Sequence, residues 1–366
     1  NAIERWQYKI RHLRSFLRGW AKHLSGVYKI EKDRLLTLIQ ALDIQAEVNI
    51  LSPAQFQVKN EAEKRLKELL REEELKWALR AKVRKVVQGD ANTQFFHLIA
   101  NGKHRKKRIF QLEQDEGTIL GQDNLKTYIT DYYKQLFGPL EDNCVSLDES
   151  RTENVPQLSA ADNDILVAPF SEKEVFDAIA QMKNNKAPGP DGFPAEFYKK
   201  CWHIIKGDLP PMFHDLFSGQ LQLFHLNFGT ITLLPKKRDA VRIEQFRPIC
   251  LLNVSFKIFT KVGTNRLTQI AHSVVQQSQT AFMPDRNILE GVVVLHETLH
   301  EIHSKKLDGV IFKVDFEKAY DKVKWPFLQQ SLRMKGFDEA WRRQVESFTQ
   351  KGSVGIKVND DIGHYF

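Results

Sequence analysis

Apolar positions recur at helical spacing from the start of the chain. Trp6, Leu13, Phe16, Leu17, Trp20 and Leu24 alternate with Arg and Lys, which predicts a helix with one apolar stripe. A longer pattern over 54–87 is rich in Glu, Lys, Arg and Ala. Ser52 is placed to cap it and Pro53 to occupy its first turn. Charged helices of this kind are usually solvated arms packed along one face. Residues 1–100 are therefore expected to be mainly helical. The pattern then shortens. Residues 109–120 read as a hairpin turning at Asp115-Glu116-Gly117, and a helix follows to about residue 137, ended by Gly138-Pro139. Residues 138–170 show little periodicity. Ser171-Glu172-Lys173-Glu174 has capping-box spacing for a helix whose apolar face is Val175, Ile179 and Met182. Pro188-Gly189-Pro190-Asp191-Gly192 demands turns. Beyond it, 230–234 reads as a strand and 251–267 as a helix. Residues 309–315 read as a buried strand ending in a carboxylate. Residues 353–358 read as another strand, before a turn at Asn359-Asp360-Asp361.

Charge sharpens this division. The 366 residues carry a net charge of +8, unevenly spread. Residues 1–137 hold 26 basic and 17 acidic side chains, 138–178 hold 2 and 10, and 179–366 hold 26 and 19. Three domains are expected: a basic helical N-terminal extension over 1–137, an acidic linker over 138–170, and a mixed helix and strand domain over 171–366. Two basic blocks suit a polyanionic partner such as nucleic acid, because phosphate contacts release counterions. The run Gly102-Lys103-His104-Arg105-Lys106-Lys107-Arg108 could touch phosphate or act as a nuclear address; a solvated loop explains it equally well. No apolar run approaches the about 18 residues of a membrane span. Three cysteines, Cys144, Cys201 and Cys250, are too few and too scattered for a disulfide framework. Cys201 and His203 lack a second ligand pair, so zinc is not expected.

The sharpest candidate chemistry is Phe312-Lys313-Val314-Asp315-Phe316-Glu317-Lys318-Ala319-Tyr320-Asp321. An aspartate ending a buried strand is placed to hold a divalent cation, which takes oxygen ligands. A lone strand-end aspartate is more often a cap or turn residue, so its neighbours must decide. Five segments occur in a telling order. They are Asn185 to Gly192, Ile231 to Lys237, Phe246-Arg247-Pro248-Ile249-Cys250-Leu251-Leu252-Asn253, Gln279-Thr280-Ala281-Phe282 with Arg286, and Asp315 to Asp321. In this order the chain resembles the reverse transcriptases of plant non-LTR (LINE-type) retrotransposons. The stretch from Gly89 to His97, with the basic run after it, is similar to the segment that joins endonuclease to polymerase in those elements. A group II intron maturase shares the polymerase logic but fits the Pro-Gly-Pro-Asp-Gly and Arg-Pro-Ile segments less well.

The resemblance implies an α+β fold. It comprises right-hand polymerase fingers and a partial palm, an antiparallel sheet with helices, preceded by the helical extension. It implies RNA-directed DNA synthesis on an RNA template and DNA primer from deoxynucleotide triphosphates, with Mg2+ as cofactor. Asp315 would be the catalytic aspartate and, with the Phe316 carbonyl, a ligand of two ions about 3.5–4 Å apart. Arg247 would grip the incoming triphosphate, aided by Lys236 or Lys237. Tyr320 would pack under the sugar. Lys186, Gly189, Asp191, Gly192 and Arg286 would lie against template or primer, and Lys103, Arg105, Lys106, Lys107 and Arg108 against phosphate. Asp321, six residues past Asp315, reads as a cap and not as a metal ligand.

Two segments of such enzymes, Gln-Gly-Asp-Pro and Tyr-x-Asp-Asp, do not occur in these residues, and the first residue is Asn1. The expectation is a fragment that does not polymerise alone, since one carboxylate cannot assemble a two-metal site. A partial palm would also leave an open apolar face. A non-catalytic nucleic-acid-binding remnant of such an element is the alternative. Family and charge imply an intracellular, nuclear location and no membrane contact.

Overall fold

A computed structural model describes residues 1–81, 102, 108–138, 146–148, 150, 155–316, 323–349 and 351–366. The chain divides into two compact units. One holds Asn1–Gln7, Glu113–Leu233 and Arg247–Phe366; the other holds Tyr8–Leu112 and Leu234–Phe246.

Most of the second unit is a helical hairpin. Helix α1, Ala2–Val48, supplies its first arm from Tyr8 onward, and α2, Pro53–Ala81, the second. Pro53 starts α2, where its missing N–H is not needed. Ser52 Oγ accepts from Gln55 N at 3.3 Å and Gln55 Oε1 accepts from Ser52 N at 2.9 Å, a reciprocal cap. Leu42 of α1 and Ala62 and Leu69 of α2 are buried. Ion pairs cross between the arms, Lys59 to Asp43 at 2.6 Å, Arg65 to Glu31 at 2.8 Å and Lys32 to Glu73 at 2.9 Å. They set the register; exposed pairs add little stability.

The first unit mixes helices with a four-stranded sheet. A hairpin of β1, Gln111–Gln114, and β2, Gly117–Leu120, leads into α3, Gln122–Phe137. Then come α4, Ala160–Val167; α5, Glu172–Gln181; α6, Ala195–Lys200; α7, Trp202–Ile205; and α8, Leu209–Phe217. The sheet strands are β3, Phe228–Pro235; β4, Phe246–Leu252; β5, Ser353–Val358; and β6, Asp361–Ile362. Between β4 and β5 lie α9, Val254–Val274; α10, Ile288–Ser304; α11, Trp325–Met334; and α12, Glu339–Thr349. No described helix is long and apolar enough to cross a membrane.

The predicted capping box forms, and a second one that the sequence reading did not include stands before it. Ser171 closes one on Glu174 at the start of α5. Ser159 closes another on Asp162 at the start of α4, inside the stretch expected to be linker. Leu166 of α4 is buried with Ile270, Val274, Phe337 and Trp341. Helix α9 is the centre of the core: Ile258 and Phe259 are fully buried, and Phe259 stacks on Phe213 at 4.1 Å. Arg266 of the same helix is 2% exposed. Its guanidinium donates to Glu174 at 2.7 Å and to the carbonyls of Leu166, Ala168 and Pro169, and it lies 4.0 Å over the Phe170 ring. One arginine thus ties the α4–α5 connection to α9.

The sheet order is β4-β3-β5-β6. Strands β3 and β5 pair in parallel, from Phe228 opposite Ser353 to Thr232 opposite Lys357, and β5 turns back antiparallel into β6. This corrects the expected antiparallel sheet. A helical crossover separates β3 from β5, and long crossovers permit parallel pairing.

The second correction concerns residues 309–315, expected as a buried strand. They form no regular structure and are exposed throughout. Val310 is 77% exposed and Phe312 85%. A strand needs ladder partners for its N–H and C=O groups. Here the sheet ends at β4 on one side and at β6 on the other, and neither edge pairs with this run. Helix α10 before it has no buried residue. The open apolar face lies in this region.

Candidate nucleotide and nucleic-acid site

The Pro-Gly turn is built into the first unit. Gly192 N donates to Gly189 O at 3.0 Å, and Gly192 has φ 86°, which favours glycine. Asp191 Oδ1 accepts from Phe193 N at 3.0 Å, and Asp191 N donates to Asn253 Oδ1 at 3.0 Å. A Cβ on Gly189 would sit 2.5 Å from both Asn253 N and Leu252 C. The turn therefore docks backbone against backbone on the junction of β4 and α9. The structure brings together two segments that the sequence keeps about 60 residues apart.

Asn253 is the residue that sequence reasoning missed. Expecting the helix from 251 placed it inside a turn of helix. In the structure it is the N-cap of α9, yet its side chain makes no capping bond and reaches Asp191 instead. An Asn directly before an apolar helical pattern is a start signal, and that signal was present.

Around this joint the polar groups are buried. Asp191 is 9% exposed, Asn253 1% and Ser255 2%. Burial, reinforced by the Asp191 charge, pushes the Tyr198 phenol well above its ordinary range and keeps it neutral. Burial also lowers Lys257, opposed by Cys250 and Asp191. Cys250 is exposed at the edge of this joint, and the protein atoms around its thiol raise its pKa, which the Lys257 ammonium partly offsets. Gly189 and Asp191 thus hold a joint, while Lys186 and Gly192 remain exposed.

The cationic residues differ in their freedom. Arg247 is exposed on the edge strand β4, and its side chain forms no ion pair or hydrogen bond among the described residues. The next residue is Pro248, which an edge strand tolerates. In the other unit, Lys236 Nζ donates to Glu244 O at 2.7 Å and Lys236 N to Gln245 O at 2.8 Å, closing the loop before β4. Lys237 is exposed beside it. Arg286 braces the loop after α9. Its guanidinium donates to Gln276 O at 2.6 Å, Gln279 O at 2.8 Å and Val275 O at 3.1 Å. Phe282 on that loop is 89% exposed.

Asp315 and Phe316 lie in the exposed irregular run. No group of three or more His, Cys, Asp or Glu that could hold a metal occurs among the described residues. Asp315 alone does not provide the donor set of a two-ion site. Tyr320, Asp321, Lys103, Arg105, Lys106 and Lys107 lie outside the described residues; Arg108 is exposed.

Residues 234–360 match the reverse transcriptase (RNA-dependent DNA polymerase) family. That span includes Lys236, Lys237, Arg247, Arg286, Asp315 and Tyr320, and excludes the Pro-Gly turn. Across 363 residues the chain is 27% identical to an uncharacterized 149 kDa protein of transposon TX1 from Xenopus laevis. That alignment covers 97% of this chain and 27% of the relative. A retrovirus-related Pol polyprotein from the type-1 retrotransposable element R2 of Nasonia vitripennis is 26% identical over 54% of the chain and 18% of the relative. A probable RNA-directed DNA polymerase from the Drosophila melanogaster transposon X-element is 26% identical over 47% of the chain and 19% of the relative. The chain thus spans about a quarter or less of the length of these relatives. Residues 234–360 are thus similar to reverse transcriptase domains, and the chain is similar to proteins of non-LTR retrotransposons.

Proposed function

We propose that this chain supplies the fingers and the first part of the palm of an RNA-directed DNA polymerase of a LINE-type element. The match over 234–360 carries the proposal. Enzymes of this family use divalent metal ions, RNA template, primer and nucleotides. Here Arg247 is the residue for the triphosphate: an exposed guanidinium without a partner among the described residues keeps its fork of donors for phosphate oxygens. Lys237 adds charge. The Pro-Gly joint fixes the end of β4 and so fixes where Arg247 starts from. Asp315 is the aspartate on which synthesis depends, and Mg2+ is the ion we expect it to use. Among the described residues nothing completes that ion site, and we expect the polypeptide alone not to extend a primer.

The test joins this chain to the remaining palm of a related non-LTR reverse transcriptase. Asp315→Asn is expected to abolish template-dependent extension while leaving template binding intact. Undiminished extension by the Asp315→Asn protein overturns the proposal. The exposed, irregular setting of Asp315 supports a second reading, a nucleic-acid-binding remnant without chemistry. The two readings part on nucleotide binding. A polymerase piece loses triphosphate affinity with Arg247→Ala, whereas a remnant shows only salt-dependent nucleic-acid affinity.

A further inference from the structure

We infer that the first half of α1 is an RNA-backbone docking ridge, outside the segment that matches the polymerase family. Between Glu4 and Glu31 the chain has seven Lys or Arg and no Asp or Glu. All of this stretch is one helix. At 100° per residue, Arg14, Arg18 and Lys22 fall one turn apart in a row, with Arg11 and Lys29 on the same stripe, a span of about 27 Å.

The neighbouring contacts say which side of the helix is taken. Leu24 and Tyr28 are partly buried, Leu42 is buried, and the ion pairs from Glu31, Lys32 and Asp43 run to α2. The cationic stripe is turned about 100° from that seam. Arg18 and Lys22 are exposed, and Arg14, Arg18 and Lys22 form no ion pair among the described residues. The second arm is the internal contrast. Over Pro53–Ala81 basic and acidic residues nearly balance, seven against six, which is the composition of a solvated face.

A straight row of uncompensated cations at one-turn spacing is complementary to a chain of phosphates. An amphipathic membrane helix would instead bury a continuous apolar face; from Leu24 to Leu42 that side faces α2, whereas Phe16 and Trp20 beside the ridge are exposed, so the vesicle arm of the experiment decides between the two. The choice of RNA rests on the polymerase reading above: the enzyme copies RNA, and a ridge outside the matched segment would hold template away from the reaction.

The experiment measures binding of a fluorescein-labelled single-stranded RNA to the full chain, by anisotropy over a salt series. Arg14→Gln/Arg18→Gln/Lys22→Gln is compared with Lys64→Gln/Lys67→Gln/Arg71→Gln, which removes the same charge from exposed positions of α2. The α1 variant is expected to weaken binding by about tenfold or more and to lower the log–log salt slope by about 2. The α2 variant is expected to bind as the parent does. Gln keeps helix propensity, and circular dichroism checks the fold. Arg14→Lys/Arg18→Lys should retain binding, since charge and not the guanidinium fork is what the ridge supplies. Equal losses in both Gln variants, or none in the α1 variant, overturn the proposal. So does a stronger effect on anionic vesicles or polyglutamate than on RNA. Repeating the series with Asp315→Asn separates it from the polymerase reading, because the ridge should bind RNA whether or not synthesis depends on that residue.

Discussion

Two apolar runs in this protein read alike and fold differently. Gly229-Thr230-Ile231-Thr232-Leu233-Leu234 is the body of β3, central in its sheet between β4 and β5. Gly309-Val310-Ile311-Phe312-Lys313-Val314 has the same length, the same leading glycine and more apolar side chains. Yet Ile231 is 3% exposed and Ile311 55%. The difference lies outside both runs. Strand formation is a property of the pair, decided by what lies opposite and above. β3 has a neighbour on each side and α9 in the core of its unit; 309–314 has none of these among the described residues.

The sharpest way to break that comparison is a matched truncation. Ile231→Ala should cost about 3 kcal/mol in denaturant unfolding, and Ile311→Ala no more than about 0.5 kcal/mol. A cost for Ile311→Ala near that for Ile231→Ala would mean that 309–314 is buried in solution. Next in size is the joint that anchors the end of β4. Gly189→Ala forces a Cβ to 2.5 Å from two backbone atoms, so about 2 kcal/mol should be lost, read as a lower midpoint in the same titration. The smallest effect is a pH dependence on the anchored side. Burial raises the Glu174 carboxyl, but Arg266 and the Ser171 cap outweigh it and hold the group below its ordinary 4.5. A depressed carboxylate contributes stability above that value and loses it as pH falls through the lower folded value. Melting temperature should therefore drop below about pH 4.5, and Glu174→Gln should flatten that drop.

The same contrast explains what could be read from sequence. Elements set by local signals were legible. The Ser171 capping box, the Asp115-Glu116-Gly117 hairpin, the end of α3 at Gly138 and the strand Ser353–Val358 all follow from residues a few positions apart. Features set by distant partners were not. Helix α9 starts at Val254, three residues later than its apolar pattern suggests, because Phe246–Leu252 is drawn into the sheet. The parallel pairing of β3 with β5 joins residues more than 100 positions apart, and no local signal encodes it. Within the candidate site, Arg247 stands out in both sequence and structure. Asp191 and Arg286 were expected to face nucleic acid; the one is buried in the Pro-Gly joint and the other is bonded to three carbonyls. Side-chain type suggested a ligand for both, and only the fold shows what each already holds.

The contact at Gly189 has a mechanical consequence. Where two segments meet through side chains, rotamers act as springs and one segment can drift while the other stays put. Here main chain bears directly on main chain, with no spring between, and the Asp191–Asn253 hydrogen bond keeps the surfaces from parting. The turn and the last residues of β4 therefore translate as one rigid part. A displacement of the end of the strand that carries Arg247 would carry the turn with it.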